Sequence, residues 1–301
     1  MTEFSALLGC QVCPHDCGVN RYEEPGFCGA GAGIAINLAQ LHHGEAPPIS
    51  GSAGSGTIFF SHCNLKCVFC QNYTISCEGL GSTCSEAELV QMMLDLQQRG
   101  AHNINLVSPT HYSPQLRSAI IAAKQSGFKI PIVWNSNAYE KPGVLAGLEG
   151  LVDIWLPDYK YYHGIYAHKY SNAKDYPQVA FAAIREMYRL SGPLQVDAAG
   201  IATKGVLLRM LVLPNGLSGT SFSLRKFADE LGSDLPLSLM AQYYPAGKAS
   251  EYPELNRGIN AAEYQKVLDT ASELGFSSIY AQELSCSDLW TPRFIRDSFA
   301  Q

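Results

Sequence analysis

Seven of the ten cysteines in this 301-residue chain fall into two tight groups, which constrains the fold more than any other feature. Cys10, Cys13, Cys17 and Cys28 form the first group, and Cys63, Cys67 and Cys70 the second; Cys77, Cys84 and Cys286 stand apart. Thiolates three or four residues apart converge on one metal centre from a single loop, whereas a reducing compartment disfavours structural disulfides. The expected compartment is the cytoplasm, because Met1-Thr2-Glu3-Phe4 lacks the positive charge and apolar core of a secretory signal. No membrane partner is expected either: the best apolar run, 206–213, is short and broken by Arg209. With 21 basic and 27 acidic residues the formal net charge is −6 and no long basic block occurs, which argues against nucleic acid as a partner.

The length allows two domains or one large α/β barrel. Residues 1–50 carry the first cysteine group, several glycines and Pro47-Pro48 with little periodicity. They read as a cysteine-rich metal-binding segment that a metal would help to fold. The run Gly51-Ser52-Ala53-Gly54-Ser55-Gly56 reads as a flexible joint, and 51–301 as one barrel domain. Strand-like runs at 57–61, 103–107, 131–135, 152–156, 205–213, 237–243 and 277–281 alternate with helical ones. Ser85 and Glu88 make a capping box for a helix over 86–99, with Gly100 as its stop. Pro114 opens a helix through 126, with Gly127 just beyond it, and Asn260 with Glu263 caps one that ends at Gly275. Weaker helices are expected at 142–148, 178–190 and 221–231. This alternation predicts a mostly parallel sheet with helices outside, doubly wound or barrel-like, and functional loops at the carboxyl ends of strands. Gly29, Gly31 and Gly33, like Gly51, Gly54 and Gly56, do not link a strand to a helix and read as connections rather than nucleotide loops.

The first predicted strand runs directly into His62-Cys63-Asn64-Leu65-Lys66-Cys67-Val68-Phe69-Cys70, a Cys-x3-Cys-x2-Cys pattern. A cubane iron–sulfur cluster takes four ligands, so three cysteines leave one iron open to a non-protein ligand. Two other readings remain: a zinc site, which usually draws on two close pairs, and a closed cluster with Cys77 as fourth ligand. The first group, Cys10-x2-Cys13-Pro14-x2-Cys17-x10-Cys28-Gly29, suits tetrahedral zinc or a second cluster, and spacing does not separate the two.

With Phe69 ahead of its last cysteine, the triplet resembles the radical S-adenosylmethionine superfamily. The segments 58–73, Asp153-Ile154-Trp155-Leu156-Pro157-Asp158-Tyr159-Lys160-Tyr161 and Leu208-Arg209-Met210-Leu211-Val212-Leu213-Pro214 resemble an uncharacterised branch related to pyruvate formate-lyase activating enzymes. The resemblance implies a partial parallel (β/α)6-type TIM barrel carrying a [4Fe–4S] cluster on Cys63, Cys67 and Cys70. It also implies S-adenosylmethionine chelated to the open iron, an external electron donor such as flavodoxin or ferredoxin, and a 5′-deoxyadenosyl radical that abstracts hydrogen. A protein or peptide substrate is implied, in the branch's own case a backbone glycine of a glycyl-radical enzyme. His62 stands where this branch is expected to carry glycine.

The resemblance also assigns candidate residues. Asp158-x-Lys160 would hold the methionyl group, with the lysine on its carboxylate. Phe69, Asn135 and Ser136 would lie near the cofactor. Asn105 lies in a stretch where the superfamily's backbone meets the cofactor amino group, although Gly-Gly-Glu is absent there; His111, just beyond, is a substrate-acting candidate or an ordinary helix-start histidine. Gln242 would line the adenine or substrate region. Arg209, a charge inside an apolar strand, must be paired or face a polar cavity, and a cofactor carboxylate would supply its partner. Lys160, Asp158 and Arg209 are thus the catalytic candidates. The competing function is a non-catalytic iron–sulfur electron-transfer or redox-sensing protein, which requires a fourth protein ligand.

Overall fold

The structure, a computed structural model, describes residues 4–284 and Phe294; Cys286 lies outside them. Its strands are β1 (Ile34–His42), β2 (Ser55–Phe60), β3 (Ser82–Cys84), β4 (Ile104–Val107), β5 (Ile132–Ser136), β6 (Ile154–Pro157), β7 (Gln195–Val196), β8 (Ala202–Val206), β9 (Leu208–Leu211), β10 (Leu237–Met240) and β11 (Ile279–Ala281). One sheet runs β3-β1-β2-β4-β5-β6-β8-β7 and a second runs β11-β10-β9.

The two sheets are one arc. The predicted strand 205–213 is instead two strands divided at Leu207, so that β8 pairs with β6 while β9 pairs with β10. Across the division the Leu207 N–H donates to Trp155 O at 3.0 Å, the Tyr159 N–H donates to Arg209 O at 2.9 Å, and Asp158 bridges Arg209. Gly205, at φ +109°, passes so close to the preceding chain that a Cβ would sit 2.2 Å from Pro193 O. The strands β2, β4, β5, β6, β8/β9, β10 and β11 thus lie parallel in chain order, the layout of a partial TIM barrel. Antiparallel β1 occupies the outer edge of β2.

Helices cover the outside because their apolar residues share one face. In Glu86–Gln98 the buried positions are Leu89, Met93 and Leu96, and the Ser85–Glu88 capping box is formed. Ser113–Gln125 has Pro114 in its first turn, and Asn260 and Glu263 cap Ala261–Glu273 reciprocally. Alternate residues of the central strands serve opposite sides: Trp134 and Trp155 join the large cluster with the helices, whereas Val133, Ile154, Leu156 and Leu207 gather with Ile49. Ile49 comes from a short helix, Pro47–Ser50.

Two readings of the N-terminal third need correction. Residues 34–42 are a nine-residue strand continuous with the sheet, and Ile34-x-Ile36-x-Leu38 carries the period-two signal that betrays it. The run 51–56 is no flexible joint. Gly51 and Gly54 make a hydrogen-bonded turn at φ +48° and +86°, with the Gly54 N–H on Ser50 O, and Ser55 and Gly56 are already buried in β2. Among the described residues no helix is long and apolar enough to cross a membrane.

Candidate functional site

All six residues of β2 are buried, and the chain turns sharply where the strand ends. His62 takes φ +70°, the left-handed region that glycine adopts at least cost, which explains the expectation of glycine there. Two glycines make room for its ring: a Cβ would lie 2.9 Å from it at Gly29 and 2.5 Å from it at Gly79. Beyond this turn Cys63, Cys67 and Cys70 line one cavity of about 580 Å³ at the carboxyl ends of the strands.

Each of the three sulfurs receives one side-chain donor. Asn137 Nδ2 donates to Cys63 Sγ at 3.4 Å, Ser171 Oγ to Cys67 Sγ at 3.0 Å, and Ser76 Oγ to Cys70 Sγ at 3.2 Å. Burial pushes the Cys67 and Cys70 thiols above their ordinary range. A bound metal would supply the positive charge that such buried thiolates require.

A charged network lines the same cavity. Arg209, from β9, donates from Nε to Asp158 Oδ1 at 2.8 Å, from Nη1 to Glu45 Oε2 at 2.9 Å and from Nη2 to Asn135 Oδ1 at 2.7 Å. Lys160 Nζ donates to the other oxygen of Asp158 at 2.7 Å. Burial alone would raise the Asp158 carboxyl, but Arg209 and Lys160 outweigh it and hold the group below its ordinary value. Burial likewise works against the Lys160 ammonium, yet Asp158 holds its pKa above the usual lysine range. Two carboxylates and two cations leave the network formally neutral.

Glu45 was not foreseen from sequence. It follows β1 and accepts from Asn105 Nδ2 and Asn135 Nδ2, each at 3.0 Å. Only the pairing of β1 with β2 brings it to Arg209, so no local spacing could reveal it. Arg209 is paired as a charge in an apolar strand must be, but by two protein carboxylates rather than by a cofactor alone.

Of the other candidates, Phe69, Asn135, Ser136 and Gln242 line the cavity. Phe69 packs edge-on against Tyr161 and Tyr243. Gln242 Nε2 donates to Gln71 Oε1 at 2.9 Å and Gln242 Oε1 accepts from Gln282 Nε2 at 2.7 Å, forming an amide chain along one wall. The β5 turn is braced from behind: Glu140, buried and held above its ordinary pKa by that burial, accepts from Ser136 Oγ at 2.5 Å and from Trp134 Nε1 at 2.9 Å. Asn105 does not line the cavity and supports Glu45 from behind. His111 does not line it either; fully buried, it shares a hydrogen bond with Ser61 O at 3.0 Å, so the substrate-acting option gives way to the structural one. Cys77 caps the helix Tyr73–Ser76 outside the cavity lining, with Ser76 Oγ 3.6 Å from its sulfur.

Cys10, Cys13 and Cys28 are buried and Cys17 partly so, in turns that precede β1, and none of the four is disulfide-bonded. Their module abuts the second cysteine loop: a His15 Nε2 hydrogen bond reaches Asn64 O at 2.6 Å, and Asn137 Nδ2 donates to Asn64 Oδ1 at 2.8 Å and to Cys63 Sγ.

The fold is that of a partial parallel barrel shared with methylornithine synthase (PylB), whose structure aligns at TM-score 0.50 and 14% identity over 78% of this chain and 75% of that one. HydG, a maturase of the [FeFe]-hydrogenase, aligns at TM-score 0.48 and 12% identity over 72% of this chain, which spans about half (49%) of that one. No family model matches the chain. It is 32% identical over 279 residues to the uncharacterized protein MJ0674 of Methanocaldococcus jannaschii, covering 90% of this chain and 76% of that one, and it belongs to that protein's family.

Proposed function

We propose that the chain is a radical S-adenosylmethionine enzyme, and one observation carries the reading: Cys63, Cys67 and Cys70 share a single cavity with Lys160, Asp158 and Arg209. The residues fit a cubane. Three sulfurs, each with a hydrogen-bond donor, would hold three irons and leave the fourth facing the cavity. When bound there, a [4Fe–4S] cluster with S-adenosylmethionine supplies one-electron cleavage to a 5′-deoxyadenosyl radical, with flavodoxin or ferredoxin as the external reductant.

The chain's own residues bind and orient. Lys160 spends one of its three donors on Asp158 and has others for a methionyl carboxylate, whereas every guanidinium nitrogen of Arg209 already donates to Asp158, Glu45 or Asn135. Lys160 is therefore the carboxylate holder, and Asp158 and Arg209 keep it charged and in place. Phe69, Leu211 and Met240 give the cavity apolar wall that excludes water from a radical, and the Gln71–Gln242–Gln282 amides offer hydrogen bonds to an adenine edge. The substrate is a protein or peptide, in activating-enzyme fashion through a backbone glycine; the similarity of segments 58–73, 153–161 and 208–214 to that branch supports this choice.

The second reading, a closed cluster for electron transfer, draws on Ser76 Oγ lying between Cys70 Sγ and Cys77 Sγ, at 3.2 and 3.6 Å. A Cys77→Ala protein reconstituted under argon separates the two. The enzyme keeps its cluster and forms 5′-deoxyadenosine from S-adenosylmethionine and dithionite. Loss of the cavity cluster in that variant would instead establish the carrier.

A further inference from the structure

The N-terminal module contains a buried cation that no carboxylate answers among the described residues. Arg21 is 2% exposed and spends its guanidinium on carbonyl oxygens: Nε and Nη2 donate to Gly31 O at 3.0 and 2.5 Å, and Nη1 to His111 O at 2.5 Å. Among the described residues no carboxylate forms an ion pair with it. A buried charge without a counter-charge is strongly destabilising, so the site implies an anion nearby.

Two of the four cysteines flank that place. A Cβ at Gly26 would meet Cys17 Sγ at 3.4 Å, Cys28 Sγ at 3.5 Å and the Arg21 side chain at 3.9 Å, so only a residue without a side chain leaves the space between them free. Cys13 interacts electrostatically with Cys28, Cys10 and Cys17, and Cys28 interacts with Arg21. The Ala30 N–H donates to Cys28 Sγ at 3.4 Å, a backbone contact suited to a thiolate. Four free thiols thus neighbour one another beside a buried guanidinium.

The absence of a single-ion site among the described residues favours a cluster over one zinc ion. Tetrahedral zinc draws four sulfurs to about 2.3 Å from one point. Among the described residues no group of three or more His, Cys, Asp or Glu side chains is placed to hold a single metal ion. A cubane spreads its thiolates over four irons and does not require four sulfurs around one point.

We propose that Cys10, Cys13, Cys17 and Cys28 hold a [4Fe–4S] cluster of their own, closed by protein on all four irons, with Arg21 as its buried counter-ion. Four thiolates around a cubane give a net negative group, which answers the guanidinium. A closed cluster has no vacant corner, so this site takes and returns single electrons rather than binding substrate. Its position against Asn64 and Asn137 places it beside the loop of the cavity cysteines; that relay role rests on the function proposed above, whereas the metal site does not.

Iron and sulfide counts with Mössbauer spectra on anaerobically reconstituted full chains test the proposal. The wild type is expected to hold about eight irons, and the Cys63→Ala/Cys67→Ala/Cys70→Ala variant, whose N-terminal module is untouched, about four in a diamagnetic cubane. Cys17→Ala in that background is expected to remove or convert the remaining cluster, with circular dichroism to report folding. About four irons in the wild type and none in the triple variant would overturn the proposal while sparing the cavity cluster, and one zinc per chain in the triple variant would overturn it too. If the cavity reading alone were wrong, wild type and triple variant would both hold about four irons, all lost on Cys17→Ala. An Arg21→Gln chain that binds iron in the triple background as firmly as Arg21 does would refute the counter-ion role.

Discussion

The two cysteine regions differ in what surrounds their sulfurs, and the difference underlies the proposal of a reactive site at one and a closed site at the other. Cys63, Cys67 and Cys70 open onto a cavity of about 580 Å³ shared with a four-charge network. The N-terminal four sit in turns, Cys17 and Cys28 of them against Gly26, near one guanidinium that no described carboxylate pairs. An incomplete ligand set matters only where a space lies in front of it, and the barrel supplies that space at the carboxyl ends of its strands.

Breaking the cavity's charge network gives the largest stability effect. Arg209→Met leaves Asp158 and Glu45 facing each other without their shared cation and is expected to cost about 3 kcal/mol in urea unfolding. Adding Glu45→Gln should recover part of that loss. A double variant no more stable than the single would show that Glu45 is not held by Arg209.

The seam between the regions is expected to respond to acid. His111 touches both, receiving Arg21 on its carbonyl and sharing a ring hydrogen bond with Ser61 O. Burial, aided by the Arg21 charge, depresses its pKa from 6.5 to about 3. Because the folded pKa is lowered, the unfolded chain takes up the proton first. The stabilisation is therefore full above about pH 6.5 and is lost as pH falls toward 3. Between pH 7 and 5 the wild type should lose about 2 kcal/mol more than His111→Gln. Equal losses would mean that His111 is not held neutral.

The smallest effect concerns the turn shared by both groups. Gly29→Ala places a methyl 2.9 Å from His62 Nδ1 at φ +93° and should cost about 1 kcal/mol or more. Combined with His62→Gly it should cost less, because the ring is gone; an unchanged cost would assign the strain to the backbone alone.

Much of this was legible because it is local. Strand and helix alternation, the Ser85 and Asn260 caps and the strand-to-loop position of the cysteine triplet each depend on neighbours a few residues away. Arg209 advertised its need for a partner simply by standing in an apolar strand. Glu45 did not, since its role exists only after β1 pairs with β2 and β9 joins β6 across the Leu207 division. β1 itself was hidden among glycines and cysteines although Ile34, Ile36 and Leu38 alternate. The division at Leu207 was unreadable because a continuous apolar run looks the same whether it serves one sheet or two.

The vacant corner proposed for a cavity cluster is tested most directly by electron–nuclear double resonance on the dithionite-reduced protein mixed with S-adenosylmethionine carrying ¹⁵N at its amino group. A ¹⁵N coupling to the cavity cluster, present in Cys77→Ala and absent from Cys67→Ala, is the expected result. A cavity-cluster spectrum with no ¹⁵N coupling, indifferent to added S-adenosylmethionine, would show that corner closed by protein and would contradict the enzyme reading.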